Sequence, residues 1–283
     1  SNNYATVVAG QNNSASGYRT VIVGGENNTA LANCATVVGG ACNTGSGAFG
    51  FVGGGQLNTA CSPYSTVGGG LSNSASGSCS TVAGGWSNRT CATRAFIGGG
   101  YNNVAYVEAV IVGGATNQAL ADDSFIGGGF GNTVSGSYSI IVGGKFNCAT
   151  GACAFVGGGQ NNCATAAYTT IAGGQNNCAT AVYTTIAGGI CNVTSGAQSY
   201  IGGGYFNLAN NAYSTIVGGI NNCSTGACSA VVGGQQNTGS GNFSFVGGGC
   251  GNAASGVNFA TVGGGNKNSA SGCYSFIGGG LQN

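Results

Sequence analysis

The residues able to do chemistry are few. Glu26, Glu108, Asp122 and Asp123 are the only carboxylates in 283 residues, and Arg19, Arg89, Arg94, Lys145 and Lys267 are the only strong cations. There is no His and no Met, but there are 14 Cys. A Ser, Thr or Cys nucleophile needs a base beside it, and acid–base chemistry needs placed carboxylates. Without His, only the four acids remain for either task. Arg94, Glu108 and Asp123 fall at equivalent places in consecutive repeats, described below. Stacking predicts an Arg94–Glu108 salt bridge and a like-charge contact of Glu108 with Asp123, relieved by water or a cation. We read this patch as structural. The chain is expected not to be an enzyme, with no catalytic residue, no cofactor and no metal site. No CxxC occurs and no His completes a metal-binding set. The Gly-Gly-Gly runs lack the helix and Lys of a phosphate loop.

The cysteines offer a different chemistry. Cys148 and Cys153 flank the stretch A-T-G-A, and Cys223 and Cys228 flank S-T-G-A. A disulfide across each corner, Cys148–Cys153 and Cys223–Cys228, is expected to be geometrically feasible. Cys148, Cys163 and Cys178 share one repeat position. Neighbouring coils about 4.8 Å apart also fall within disulfide range, so free thiols with one inter-coil bond is an equal reading. An even Cys count suits an oxidising, extracellular setting, although Cys also serves as a small apolar filler. Six N-x-S/T sequons occur, at Asn12, Asn27, Asn88, Asn192, Asn222 and Asn242. Asn12, Asn27 and Asn242 are the better glycosylation candidates, because the other three belong to a repeat column with another duty.

Composition excludes whole classes. Gly accounts for 61 residues, Pro for 1, and only 3% of the chain is charged. Disordered chains are rich in charge and poor in aromatics. Collagen needs Gly at every third residue and abundant Pro. A net charge of +1 provides no basic patch for a phosphate backbone, so no nucleic-acid partner is expected. No run of 18 apolar residues exists, so no membrane insertion by this segment is expected. The chain starts and stops inside a repeat and reads as a fragment of a longer or processed protein.

Asparagine marks the repeat. It recurs at Asn13, Asn28 and Asn43 and onward to Asn268 and Asn283, in steps of 15 with one step of 14 (103 to 117) and one of 16 (252 to 268). Counting this Asn as position 1, position 10 is Val or Ile in every copy and position 13 is always Gly. Position 12 is Gly except at Ala9, and position 3 is small except at Val134. Positions 8, 10 and 12 alternate small, branched and glycine, which is strand logic. A short strand is expected around positions 7 to 11, with 8, 10 and 12 facing inward and 7, 9 and 11 outward. A second extended segment is expected near positions 1 to 4, with corners at the glycines and at the Asn.

One such unit cannot bury its own apolar side, but stacked copies can. The expected fold is all-β: a single continuous parallel β-solenoid or β-roll over residues 1–283, with about 19 coils of 15 residues. At the parallel-strand spacing that makes a rod of roughly 90 Å. The Asn column is expected to form a side-chain amide ladder.

The outward face carries rings. Position 9 is aromatic at Phe51, Phe96, Phe125, Phe155, Tyr200, Phe245 and Phe276, and in all seven copies position 11 is Gly. Among the other twelve copies only Gly68 and Gly263 are Gly there. Packed surfaces impose this trade of volume, because overfilling costs about 1–3 kcal/mol. The seven rings are therefore expected to form an inter-subunit face of a cyclic homo-oligomer.

The stretches S-T-V-G-G-G-L-S-N-S-A-S-G-S-C-S (65–80) and S-F-V-G-G-G-C-G-N-A-A-S-G (244–256) resemble trimeric autotransporter adhesin heads of the YadA type and related phage and bacterial fibre repeats. Val67, Gly68, Ala75 and Gly77 fall at the family's aliphatic–Gly and Ala-x-Gly positions, although this repeat is one residue longer than the family's usual one. The resemblance implies a left-handed roll and a side-by-side homotrimer. It also implies an extracellular, cell-surface or virion-surface location.

The function expected is that of a non-enzymatic structural or adhesive fibre, an oligomeric rod that spaces or presents contacts to a host-surface protein or glycan. A viral or phage fibre or spike is the alternative. An ice-binding or other ligand-binding solenoid is weaker, because rings interrupt the position-9 threonine column.

Overall fold

The computed structural model describes residues 4–283. They fall into two compact units that divide between Tyr138 and Ser139. Each unit is a parallel β-solenoid, and the described residues contain strands, bridges and turns but no helix.

Each coil contributes to three stacked walls. The first wall holds positions 9 and 10, from Thr6–Val7 to Phe125–Ile126 in the first unit and from Ile140–Ile141 to Phe276–Ile277 in the second. The second wall holds positions 2 and 3, from Ser14–Ala15 to Thr133–Val134 and from Cys148–Ala149 to Ser269–Ala270. The third is a single bridge at position 14, as in Gln56↔Leu71 and Gln160↔Gln175. Every pairing is parallel and joins like positions, for example Val37↔Val52 and Ala164↔Ala179. The branched residues at position 10 suit a pleated, half-buried surface.

The two irregular coils keep this register. In the short coil Phe96 pairs with Val110 and Val104 with Gln118. In the long one Phe245 pairs with Thr261, and Asn242 bridges to Asn258. Both length changes lie in the corner between the second wall and the first, on the surface. The Asn corner absorbs neither.

The inside of each coil is small. Away from the end coils, position 10 and the Ala at position 3 are buried, as are the Asn at position 1 and the Ser, Thr or Ala at position 8. The two walls meet across it: the place of a Gly45 Cβ is 3.4 Å from Ala35 Cβ and 3.5 Å from Val37 Cγ2. Several position-8 hydroxyls donate back to the carbonyl of position 5, as in Ser80 to Gly77 (2.7 Å) and Thr169 to Ala166 (2.8 Å), while those of Ser214 and Ser244 are buried without a partner. At position 3 the Thr90 hydroxyl donates to Ser80 Oγ at 2.9 Å, whereas the buried Thr194 hydroxyl has no partner.

The expected amide ladder is present in both units. The backbone N–H of Asn58 donates to Asn43 Oδ1 at 2.9 Å, and its own Nδ2 donates to Gly54 and Gly70 carbonyls at 2.9 and 2.8 Å. Asn177 repeats this set with Asn162, Gly173 and Gly189. In several coils the amides also bond directly, as from Asn207 Nδ2 to Asn192 Oδ1 at 3.1 Å. The interior Asn are fully buried, so each polar atom they bring inside is satisfied.

Two expectations need correction. The first-wall strand covers positions 9 and 10, not 7 to 11. Position 7 is a left-handed corner, with φ near 58° at Phe49, Tyr64 and Arg94 alike. Position 15 is left-handed too, with φ of 55° at Asn27 and 58° at Leu57. Strand residues donate N–H to the following coil, as Thr36 does to Gly50. The left-handed residues donate to the preceding coil, as Tyr64 does to Ala48 and Leu57 to Ala41. That bond offsets a conformation which side-chain sterics disfavour by about 1–2 kcal/mol.

Position 12 is likewise not inside: a Cβ at Gly24, Gly84 or Gly173 would meet nothing within 4 Å. The glycine the fold requires is position 13. Gly174 has φ of 94°, and a Cβ there would run into the Gly189 carbonyl and lie 2.6 Å from Asn177 Nδ2.

The adjacent glycines therefore separate experimentally. Gly173→Ala is expected to change stability by less than about 0.5 kcal/mol, whereas Gly174→Ala should lower the urea midpoint sharply through steric conflict.

Asn177→Asp should destabilise by about 3 kcal/mol or more at pH 7, because a carboxylate would face two carbonyls. Its folded-state pKa is raised above the unfolded value of about 3.9, so stability returns as pH falls below that value and is lost as pH rises through the folded pKa. Urea unfolding at pH 4 and pH 7 measures the difference.

Candidate functional site

With the interior filled, any function belongs to the outward columns. No pocket is formed among the described residues. No group of three or more His, Cys, Asp or Glu among them is placed to hold a metal ion. No described helix is long and apolar enough to cross a membrane.

All seven expected interface rings sit in the outward column of the first wall. Phe51, Phe96, Tyr200 and Phe245 are exposed at 39–40%, Phe125 and Phe155 are half-buried, and Phe276 in the final coil is 74% exposed. No two adjacent coils carry rings in this column. Phe51 lies between Thr36 and Thr66, and Tyr200 between Thr185 and Thr215.

The match of ring to glycine has a cause within the chain. The rings of Phe51, Phe155 and Phe245 lie 3.4 Å from where a Cβ on Gly53, Gly157 or Gly247 would stand. Each ring thus lies along its own strand over position 11. That Cβ would also meet the next coil's carbonyl, at Gly68, Ala172 and Gly263 respectively. The volume trade is settled inside one coil, and a second copy is not needed to explain it. What remains is the exposed outer side of the rings, flanked by Val23, Val112, Val142 and Val217 at position 11.

A second set of rings is at position 7. Phe49 and Tyr64 stack with centroids 5.0 Å apart and planes 2° from parallel. Tyr168 and Tyr183 stack at 4.9 Å, and Phe243, Phe259 and Tyr274 form a run of three at 5.0 and 5.2 Å. Their left-handed backbones set the rings outward and one coil apart. On the third wall Trp86 and Tyr101 pair at 4.8 Å. That wall has no repeated residue type, since its bridge is a backbone bond, and sequence reasoning had no signal for it.

Arg94 and Glu108 form the expected salt bridge. Both belong to the surface, with 66% and 30% of their side chains exposed. No ion pair joins Asp123 to this pair among the described residues.

All fourteen cysteines are free thiols. Cys148 and Cys153 are not bonded to each other, nor are Cys223 and Cys228. Cys148, Cys163 and Cys178 line up instead on the second wall, paired in register in successive coils. The thiols of Cys148 and Cys178 on either side hold the Cys163 thiol below its usual range. The Cys163 sulfur beside them, then burial, pushes Cys148 and Cys178 up. Burial raises Cys223, and it raises Cys91 against the opposing charge of Arg89. Of the sequons, Asn12, Asn27 and Asn242 are exposed, while Asn88, Asn192 and Asn222 are fully buried in the amide ladder.

No protein-family model and no curated protein matches the chain.

Arg94→Ala is expected to cost no more than about 1 kcal/mol, with the loss shrinking further in high salt. Urea midpoints at low and high ionic strength give the measurement.

Proposed function

We propose that this chain is a non-enzymatic structural and adhesive fibre segment, working outside the cell as a side-by-side homotrimer. The observation that carries the reading is the exposed apolar stripe of the first wall. Monomeric soluble proteins rarely leave contiguous apolar patches of more than a few hundred Å² uncovered. Here rings and valines repeat along the same outward wall in both units. A chain with 3% charged residues also has little repulsion to keep such stripes apart.

A cyclic arrangement covers the same stripe on every copy. Three copies and a left-handed coil follow the resemblance of residues 65–80 and 244–256 to trimeric adhesin heads. The stacked coils of each unit supply the spacing function, since each repeat contacts only its neighbours. The position-7 rings remain at the corners, where they can meet a host-surface protein or a glycan.

Sedimentation velocity on the full chain is the test. The reading predicts a species of three times the 27.0 kDa chain mass. The combined variant Phe51→Asp, Phe155→Asp, Phe245→Asp should be monomeric with an unchanged β-sheet circular dichroism spectrum. A monomeric wild type overturns the assembly, and a variant that stays trimeric overturns the choice of face.

A further inference from the structure

We propose that Cys148, Cys163 and Cys178 form a thiol–disulfide exchange site that takes up a small-molecule disulfide and closes one inter-coil disulfide through Cys163. The three residues occupy the same outward position of the second wall, paired Cys148↔Cys163 and Cys163↔Cys178. The next residue in the column is Val193, which ends the row. Cys223, further along the same position, pairs with Leu208 and Thr238 and has no thiol beside it. Among the described strand pairings, no other cysteine faces a cysteine.

The backbone sets the geometry before any bond is made. In-register parallel neighbours are about 4.8 Å apart, inside the Cα separation that a disulfide tolerates. Cys148 and Cys178 are two coils apart, roughly 9.6 Å, which is too far. Every disulfide in the row therefore contains Cys163. The side chains are only half-buried, so a small reactant can reach them. The two flanking thiols favour the Cys163 thiolate, the form that attacks.

The chemistry runs in two steps. The Cys163 thiolate attacks one sulfur of the small-molecule disulfide. A mixed disulfide forms, the original S–S bond breaks, and one small-molecule thiolate leaves, taking up the proton Cys163 gave to solvent. Cys148 or Cys178 then loses its proton and attacks Cys163 Sγ. The inter-coil disulfide forms as the second small-molecule thiolate departs and is protonated. Two protein thiols are oxidised to one disulfide, and one small-molecule disulfide is reduced to two thiols.

One thiol of the three is always left beside Cys163. Its attack on Cys163 Sγ moves the disulfide by one coil with no net redox change. The site thus holds one migrating disulfide and one thiol.

The test treats the full chain with oxidised glutathione, quenches by alkylation at intervals and maps chymotryptic peptides. Phe155 and Tyr168 separate the three cysteines into different peptides. Glutathione on Cys163 should be short-lived, because a thiol lies on either side, while glutathione on Cys42 or Cys191 should persist. Linked peptides Cys148–Cys163 and Cys163–Cys178 should follow, both from the same sample. Cys148→Ser should keep only the second link and Cys178→Ser only the first, while Cys163→Ser should lose both. Serine already occupies this position at Ser74 and Ser269, so these variants should fold. The proposal is overturned if glutathione persists on Cys163 as long as on Cys42, if Cys148 links to Cys153 instead, or if Cys163→Ser still cross-links within the row.

Discussion

A buried asparagine amide governs this fold. Each coil puts a primary amide into an interior too narrow for much else, where an unpaired polar group would cost several kcal/mol. The amide is tolerated because three bonds meet it, from the next Asn N–H and to two glycine carbonyls, as at Asn58. Those carbonyls reach the amide only because position 13 is left-handed with no side chain, as at Gly70. Asparagine and glycine are thus one device. Its cost is a fixed corner, and the two length changes in the series both avoid it.

The other corner obeys a looser rule. Between the walls the chain turns through position 7, which accepts Phe, Tyr, Cys, Arg, Glu and Asp in the same left-handed state. The backbone bond to the preceding coil is independent of residue type, so the side chain is free to vary. This corner therefore carries both the ring stacks and the Arg94–Glu108 pair. It also takes the missing residue of one coil and the extra residue of another. Regularity is enforced at one corner and variety allowed at the other.

Much of this architecture could be read from residue types. The Asn period, the Val or Ile at position 10 and the invariant Gly at position 13 led to parallel coils and the amide ladder. The errors have a common physical source. Tyr64 and Phe49 look like strand residues, and intrinsic preference opposes a left-handed state for them; only an inter-coil bond puts them there. Gly173 and Gly174 look alike in sequence, yet one faces open space and the other lies against a carbonyl. The ring–glycine match at Phe51 and Gly53 is a volume shared along one strand, as residues two apart on one face predict, and it needs no second copy to explain it. The third wall was invisible because a backbone bridge at position 14 leaves no mark on residue choice.

The surface features follow from the same stacking. Identical positions in successive coils face each other, so any repeated side chain becomes a row, whether of rings at position 7 or thiols at position 2. The rows depend on coil register, and register depends on the amide ladder. Hydrogen–deuterium exchange of side-chain Asn Nδ2 protons, followed by NMR, tests that dependence directly. The ladder predicts slow exchange for buried amides such as Asn58, Asn73 and Asn177, and fast exchange for the exposed Asn12, Asn27 and Asn242. Exchange at the buried amides as fast as at the exposed ones would contradict it.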